Sequence, residues 1–129
     1  MELMKLEIVT PDGVIFDDEI KQVTIPGSEG EFGVLAEHAS LVSLLKAGVM
    51  VIETKESKEI SVAVNGGYVK VGEEKTLCVV DGAVALNAEG TDLASKIEEA
   101  KKLLQKAQSS SQADIVAAQS KIDGLSKGL

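Results

Sequence analysis

The sequence predicts an α+β protein, an N-terminal antiparallel β-sandwich over residues 1–88 followed by a C-terminal α-helical hairpin over residues 89–129. Three observations carry this. Up to about Leu86, apolar and polar residues alternate in short runs. Turn dipeptides interrupt those runs too often to leave room for crossover helices. After Gly90 the apolar period changes from two to between three and four.

The elements follow in order. Met4-Lys5-Leu6-Glu7-Ile8 alternates as a half-buried strand does, and Pro11-Asp12-Gly13 turns the chain. Ile20-Lys21-Gln22-Val23-Thr24-Ile25 repeats the pattern and meets Pro26-Gly27. Residues Glu37 to Lys46 have room for one helical turn at most, and Gly48 punctuates the stretch after them. Ile60-Ser61-Val62-Ala63-Val64 alternates again; Asn65-Gly66-Gly67 behind it, flanked by strand patterns, predicts a hairpin turn. Gly72-Glu73-Glu74 and Asp81-Gly82 close the β part. Beyond Gly90, Leu93, Ile97, Ala100, Leu104 and Ala107 form one helical stripe opposite Lys96, Glu98, Glu99 and Lys102, with Thr91 or Asp92 to cap its start. Ser109-Ser110-Ser111 breaks that helix. Ser111 and Asp114 then open a second, whose stripe is Ile115, Ala118, Ile122 and Leu125. Both stripes are narrow and alanine-rich, so the hairpin buries little area and is expected to detach.

Composition excludes several functions. All 13 basic residues are lysines and the net charge is −8, so the guanidinium forks that grip phosphates and base edges are missing and nucleic acid is not an expected partner. Residues 1–88 hold 15 acids against 7 lysines, whereas residues 89–129 hold 6 of each, which marks the β part as the acidic one. No run of eighteen apolar residues and no signal-peptide order at Met1–Lys5 argue for membrane insertion or export, so a cytoplasmic location is expected. The single cysteine, Cys78, lies in the apolar run Thr76–Val80 and reads as a core residue; no metal site is expected.

Ile25–Leu41, IPGSEGEFGVLAEHASL, concentrates glycines, acids and the single histidine. Its glycines predict a tight loop that presents Glu29 and Glu31 outward. The loop lacks the lysine of a phosphate-binding loop, and an exposed pair of glutamates has no burial to split their pKa values for acid–base work. His38 has Ser40 and Ser43 nearby, but no Gly-x-Ser-x-Gly elbow exists, so no catalytic residue is assigned. Tyr68 has no second aromatic beside it and reads as sheet packing.

The order Gly27-Ser28-Glu29-Gly30-Glu31-Phe32-Gly33, His38-Ala39-x-Leu41, Leu45-Lys46-x-Gly48 and Asn65-Gly66-Gly67-Tyr68 closely resembles the ε subunits of bacterial F-type ATP synthases, and the chain order extends the resemblance to nearly all 129 residues. The resemblance implies a non-catalytic subunit of the rotating central stalk. The sandwich would join γ to the c-ring, and the helical arm, extended along γ towards the catalytic α and β subunits, would inhibit ATP hydrolysis. It further implies c-ring contact through Glu29, Gly30 and Glu31, γ contact through His38, Ala39 and Leu41, and a peripheral position on the cytoplasmic face of the inner (plasma) membrane. Where the family has Pro-Gly before the histidine and proline after Ala39, this chain has Ala36-Glu37 and Ser40. Some members bind ATP through an Ile/Leu-Asp-x-x-Arg-Ala motif. Here Asp92-Leu93-Ala94-Ser95-Lys96-Ile97 interchanges the first two residues and replaces arginine, leaving Asp92 and Lys96 as a degenerate site, and no cofactor is expected. Two rival readings are a stand-alone β-sandwich binding module with a helical dimerisation tail and a small hydrolase using His38.

Overall fold

The computed structural model describes residues 3–36, 39–86, 91–105, 120 and 122. In chain order they form β1 (Met4–Thr10), β2 (Gly13–Gly27), β3 (Gly30–Leu35), β4 (Leu41–Thr54), β5 (Glu59–Val71), β6 (Lys75–Val80), β7 (Ala83–Ala85) and α1 (Thr91–Gln105). The strands lie in the order β1-β6-β5-β4-β2-β3, β7 joins β5, and a further β1–β2 pairing closes the path on itself. All pairs are antiparallel except β1–β6.

Three long strands each serve two layers. The first half of β2 pairs with β1, while its second half runs between β3 and β4. The start of β4, Leu41–Leu45, lies opposite Gly67–Val71 of β5, and Ala47–Glu53 lies opposite Glu59–Asn65. The later half of β5 takes β6 on its other side and the earlier half takes β7. One layer is therefore β3-β2-β4-β5-β7 and the other β2-β1-β6-β5-β4. The inner faces carry the alternating residues the sequence provides: Met4, Leu6, Ile8, Ile20, Val23, Ile25, Met50 and Ile52 are all fully buried. Cys78 packs among them, and burial pushes its thiol up to about 12. Buried Thr76 donates its hydroxyl to Met4 Sδ at 3.2 Å.

Two sequence expectations are corrected. Asn65-Gly66-Gly67 is not a hairpin turn: it lies within β5, where the strand crosses between layers. Gly66 and Gly67 take φ of 121° and 135°, and a Cβ at Gly67 would collide with the Val79 carbonyl oxygen, so glycine is required by bending and close approach together. Residues Leu41–Lys46 form no helical turn but open β4, because β5 supplies a partner ladder along Leu41–Leu45. Gly48 likewise lies inside β4.

Outside the sandwich, a second apolar cluster joins Ala47 and Val49 of β4, Ala63 of β5 and Leu86 to Ile97, Ala100 and Leu104 of α1 and to Ile122. Ile97, Ala100 and Leu104 of the stripe read from the sequence are thus the docking face of the helix, and Lys96, Glu98, Glu99 and Lys102 face solvent; the Leu93 side chain and Ala107 lie outside the described residues. Of the second helix, Ser120 and Ile122 are described and are helical; its start at Ser111, the serine link and the rest of its stripe lie outside the described residues.

Candidate functional site: two interaction surfaces

The β2–β3 hairpin builds the first surface. Pro26 pairs with Glu31 and Gly27 with Gly30, leaving Ser28 and Glu29 at the turn. The tip is braced from two sides. The Phe32 ring sits over Gly27, where an added Cβ would come within 2.8 Å of it, and Pro26 packs on Gly48 in the same way at 2.7 Å. The Ser28 amide also donates to the Leu44 carbonyl at 2.8 Å, tying the turn to β4. Phe32 on Gly27 and Pro26 on Gly48 therefore brace the tip on which Glu29 and Glu31 both stand exposed.

The second surface is the outward face of the β4-β5-β6-β1-β2 layer. Cross-strand register places Leu44 opposite Tyr68, Tyr68 opposite Val79, Val79 beside Val9, and Val9 opposite Val14. Five strands thus contribute one residue each to a single apolar row. Leu44 is 67% exposed, Tyr68 43% and Val14 57%, and Val42 next to the row is 70% exposed. Scattered surface apolar residues need no explanation, but a contiguous row is what an interaction surface requires. The next row is mixed: Val42 and Leu77 alternate with Lys70, and Glu7 and Asp17 end it. There Lys75 pairs with Glu7 at 2.8 Å and Lys5 with Asp17 at 3.3 Å, and the hydrogen bond to Glu7 raises the Lys75 ammonium above its ordinary value. An apolar row with an ion-paired rim has the layout of a protein–protein contact.

The other sequence-derived site residues fall as follows. Ala39 and Ser40 are exposed where the chain enters β4, whereas Leu41 is half-buried against the sandwich core. His38 lies outside the described residues, as does the side chain of Asp92 in the first turn of α1. Lys96 is exposed and pairs with Glu99 at 3.4 Å. The sequence reading missed Val42 and Leu44, whose alternation with Leu41, Ser43 and Leu45 was the available signal. Tyr68, expected to be ordinary sheet packing, instead sits within the row, between Leu44 and Val79.

A closed β-sandwich with a helix docked on one outer face and an apolar row on the other defines the class. Residues 3–86 match the family model described as the ATP synthase delta/epsilon chain, beta-sandwich domain. The ATP synthase epsilon chain of a Sulfurovum species is 66% identical over 127 residues, 98% of each chain. That of a Nitratiruptor species is 49% identical over 98% of each, and that of Helicobacter pylori 45% over 84% of this chain and 88% of its own. Among solved structures, a chain of the Euglena gracilis mitochondrial ATP synthase OSCP/F1/c-ring assembly superposes with a TM-score of 0.63 at 25% identity, covering 98% of this chain and 81% of that one. A chain of the Tetrahymena thermophila central stalk/c-ring structure matches in fold alone, with a TM-score of 0.56 at 16% identity over 82% of this chain and 96% of that one. The chain belongs to the ATP synthase epsilon chain family, and its relatives do not favour the stand-alone module.

Proposed function

We propose that this chain is a non-catalytic coupling and regulatory element of the central stalk, peripheral to the cytoplasmic face of the plasma membrane. The braced tip with Glu29, Gly30 and Glu31 meets the polar loops of the c-ring, and the apolar row with the neighbouring Ala39 segment seats γ. The observation that carries this reading is the continuous row Leu44–Tyr68–Val79–Val9–Val14 joined to the tip through the Ser28–Leu44 hydrogen bond. Torque entering at the tip then passes into β4 and across the sheet without crossing a flexible segment. The arm regulates by leaving its docked position and reaching the catalytic α and β subunits. No helix among the described residues is long and apolar enough to cross a membrane.

The test is direct. Leu44→Glu with Tyr68→Glu is expected to abolish co-elution with a γ-containing catalytic complex while thermal unfolding of the isolated chain shifts little, because both side chains are exposed. Undiminished co-elution of the double variant overturns the γ assignment.

A further inference from the structure

Beneath α1 the sandwich carries one side chain that does not suit a docked helix. Asn65 projects from β5 beside buried Ala47, on the face the helix covers. Its backbone amide donates to the Gly82 carbonyl at 3.3 Å, but its side-chain oxygen is buried with no protein hydrogen-bond partner. Both ends of the amide lie 3.4 Å from the point a Cβ on Gly82 would occupy, and Leu103 Cδ1 of α1 lies 2.8 Å from the same point. Leu103 therefore enters the gap that Gly82 leaves open and comes down beside the amide. Turning the amide over exchanges a buried acceptor for a buried donor, so a polar orphan remains either way.

We infer that Asn65 is a release element for the helical arm: a polar group stranded by docking and rehydrated by undocking, which holds the docked state close in free energy to the released one. The inference rests on the arm being mobile, as proposed above, and concerns what sets its balance. An orphaned buried amide weakens the state that buries it by an amount comparable to what a narrow, alanine-rich face gains. Ala47, Ala63 and Ala100 supply little of that gain, so one amide is enough to shift the populations. The usual role of a contact residue is the reverse, since its removal loosens the helix. Here removal tightens it, and that sign separates a release element from a structural one.

Hydrogen exchange on the full-length chain reads this out, because the rate in α1 reports its opening equilibrium. Asn65→Leu and Asn65→Ala both delete the amide, and each is expected to slow exchange across α1 by about tenfold. In a Leu103→Ala background, which lets water reach the site, the same deletions are expected to change exchange less than about twofold. Two outcomes overturn the inference: exchange in α1 unchanged or faster in both Asn65 variants, or slowing of the same size with and without Leu103. A failure of the mobile-arm reading looks different. There, wild-type α1 exchanges only together with the β-core amides, whatever stands at position 65.

Discussion

The two apolar clusters of this chain are built for opposite purposes. The interior of the sandwich is packed by Leu6, Ile8, Ile20, Ile25, Met50 and Ile52, large side chains held by strands that cross from layer to layer. The cluster under α1 rests on Ala47, Ala63 and Ala100, with Val49, Leu86, Ile97, Leu104 and Ile122 as its larger members, and has a stranded amide near Leu103. Full burial of a large aliphatic side chain is worth about 1.5–3 kcal/mol, while ordering each helical residue costs about 1–2 kcal/mol. The first cluster has a wide margin over that cost and the second a narrow one. The same hydrophobic effect yields a rigid body in one place and a releasable arm in the other, through side-chain size and the number of strands tied together.

The strongest way to break this contrast is to attack the crossing point. Gly67→Ala forces a side chain into the Val79 backbone at a φ of 135°, so a loss of about 3–5 kcal/mol is expected. A denaturant titration checks it, and an unfolding midpoint like that of the unaltered chain would count against the bend being obligatory. A paired substitution sharpens the comparison. Ile52→Ala is expected to cost about 2–5 kcal/mol of global stability, whereas Leu104→Ala, although equally buried, should leave the main transition almost unmoved and instead speed exchange within α1.

Cys78 offers a gentler probe of the rigid region. Its folded thiol is raised by burial from 9.0 to about 12, so the folded state holds its proton where the unfolded state releases it. The stabilising contribution is complete below about pH 9 and declines as pH rises from there towards 12. Unfolding followed between pH 8 and 11 should show that decline, and Cys78→Ala should flatten it. Thiol labelling at neutral pH should likewise track opening of the sandwich and not of the arm. The smallest expected effect belongs to Glu31→Lys. At the exposed tip it should change stability by about 0.5 kcal/mol or less while weakening the coupling of proton flow to ATP synthesis; unimpaired ATP-driven proton pumping removes Glu31 from the c-ring contact.

Much of this was legible in the sequence because it is local. The alternation at Met4–Ile8, Ile20–Ile25 and Ile60–Val64 falls inside β1, β2 and β5, and the Ile97, Ala100, Leu104 stripe is the buried face of α1. The failures have one physical origin. Asn65-Gly66-Gly67 satisfies the local rule for a hairpin, and only the approach of the Val79 backbone, remote in sequence, makes it a bend within one strand. Leu41–Lys46 is ambiguous alone and becomes strand because β5 lies beside it. The apolar row was least visible of all. Val9, Val14, Leu44, Tyr68 and Val79 are far apart in the chain, and only the register of four strand pairs brings them into line.

The parallel β1–β6 pair sets the order of events during synthesis. It joins Lys5 to Lys75, a separation of 75 − 5 = 70 residues, so β1 can find β2 early but must wait for most of the chain before its other edge is covered. At roughly 5–20 residues per second on the ribosome, that wait is about 4–14 s. For that interval the nascent protein is an open sheet with one edge of β1 unpaired, and β6 is the strand that closes it.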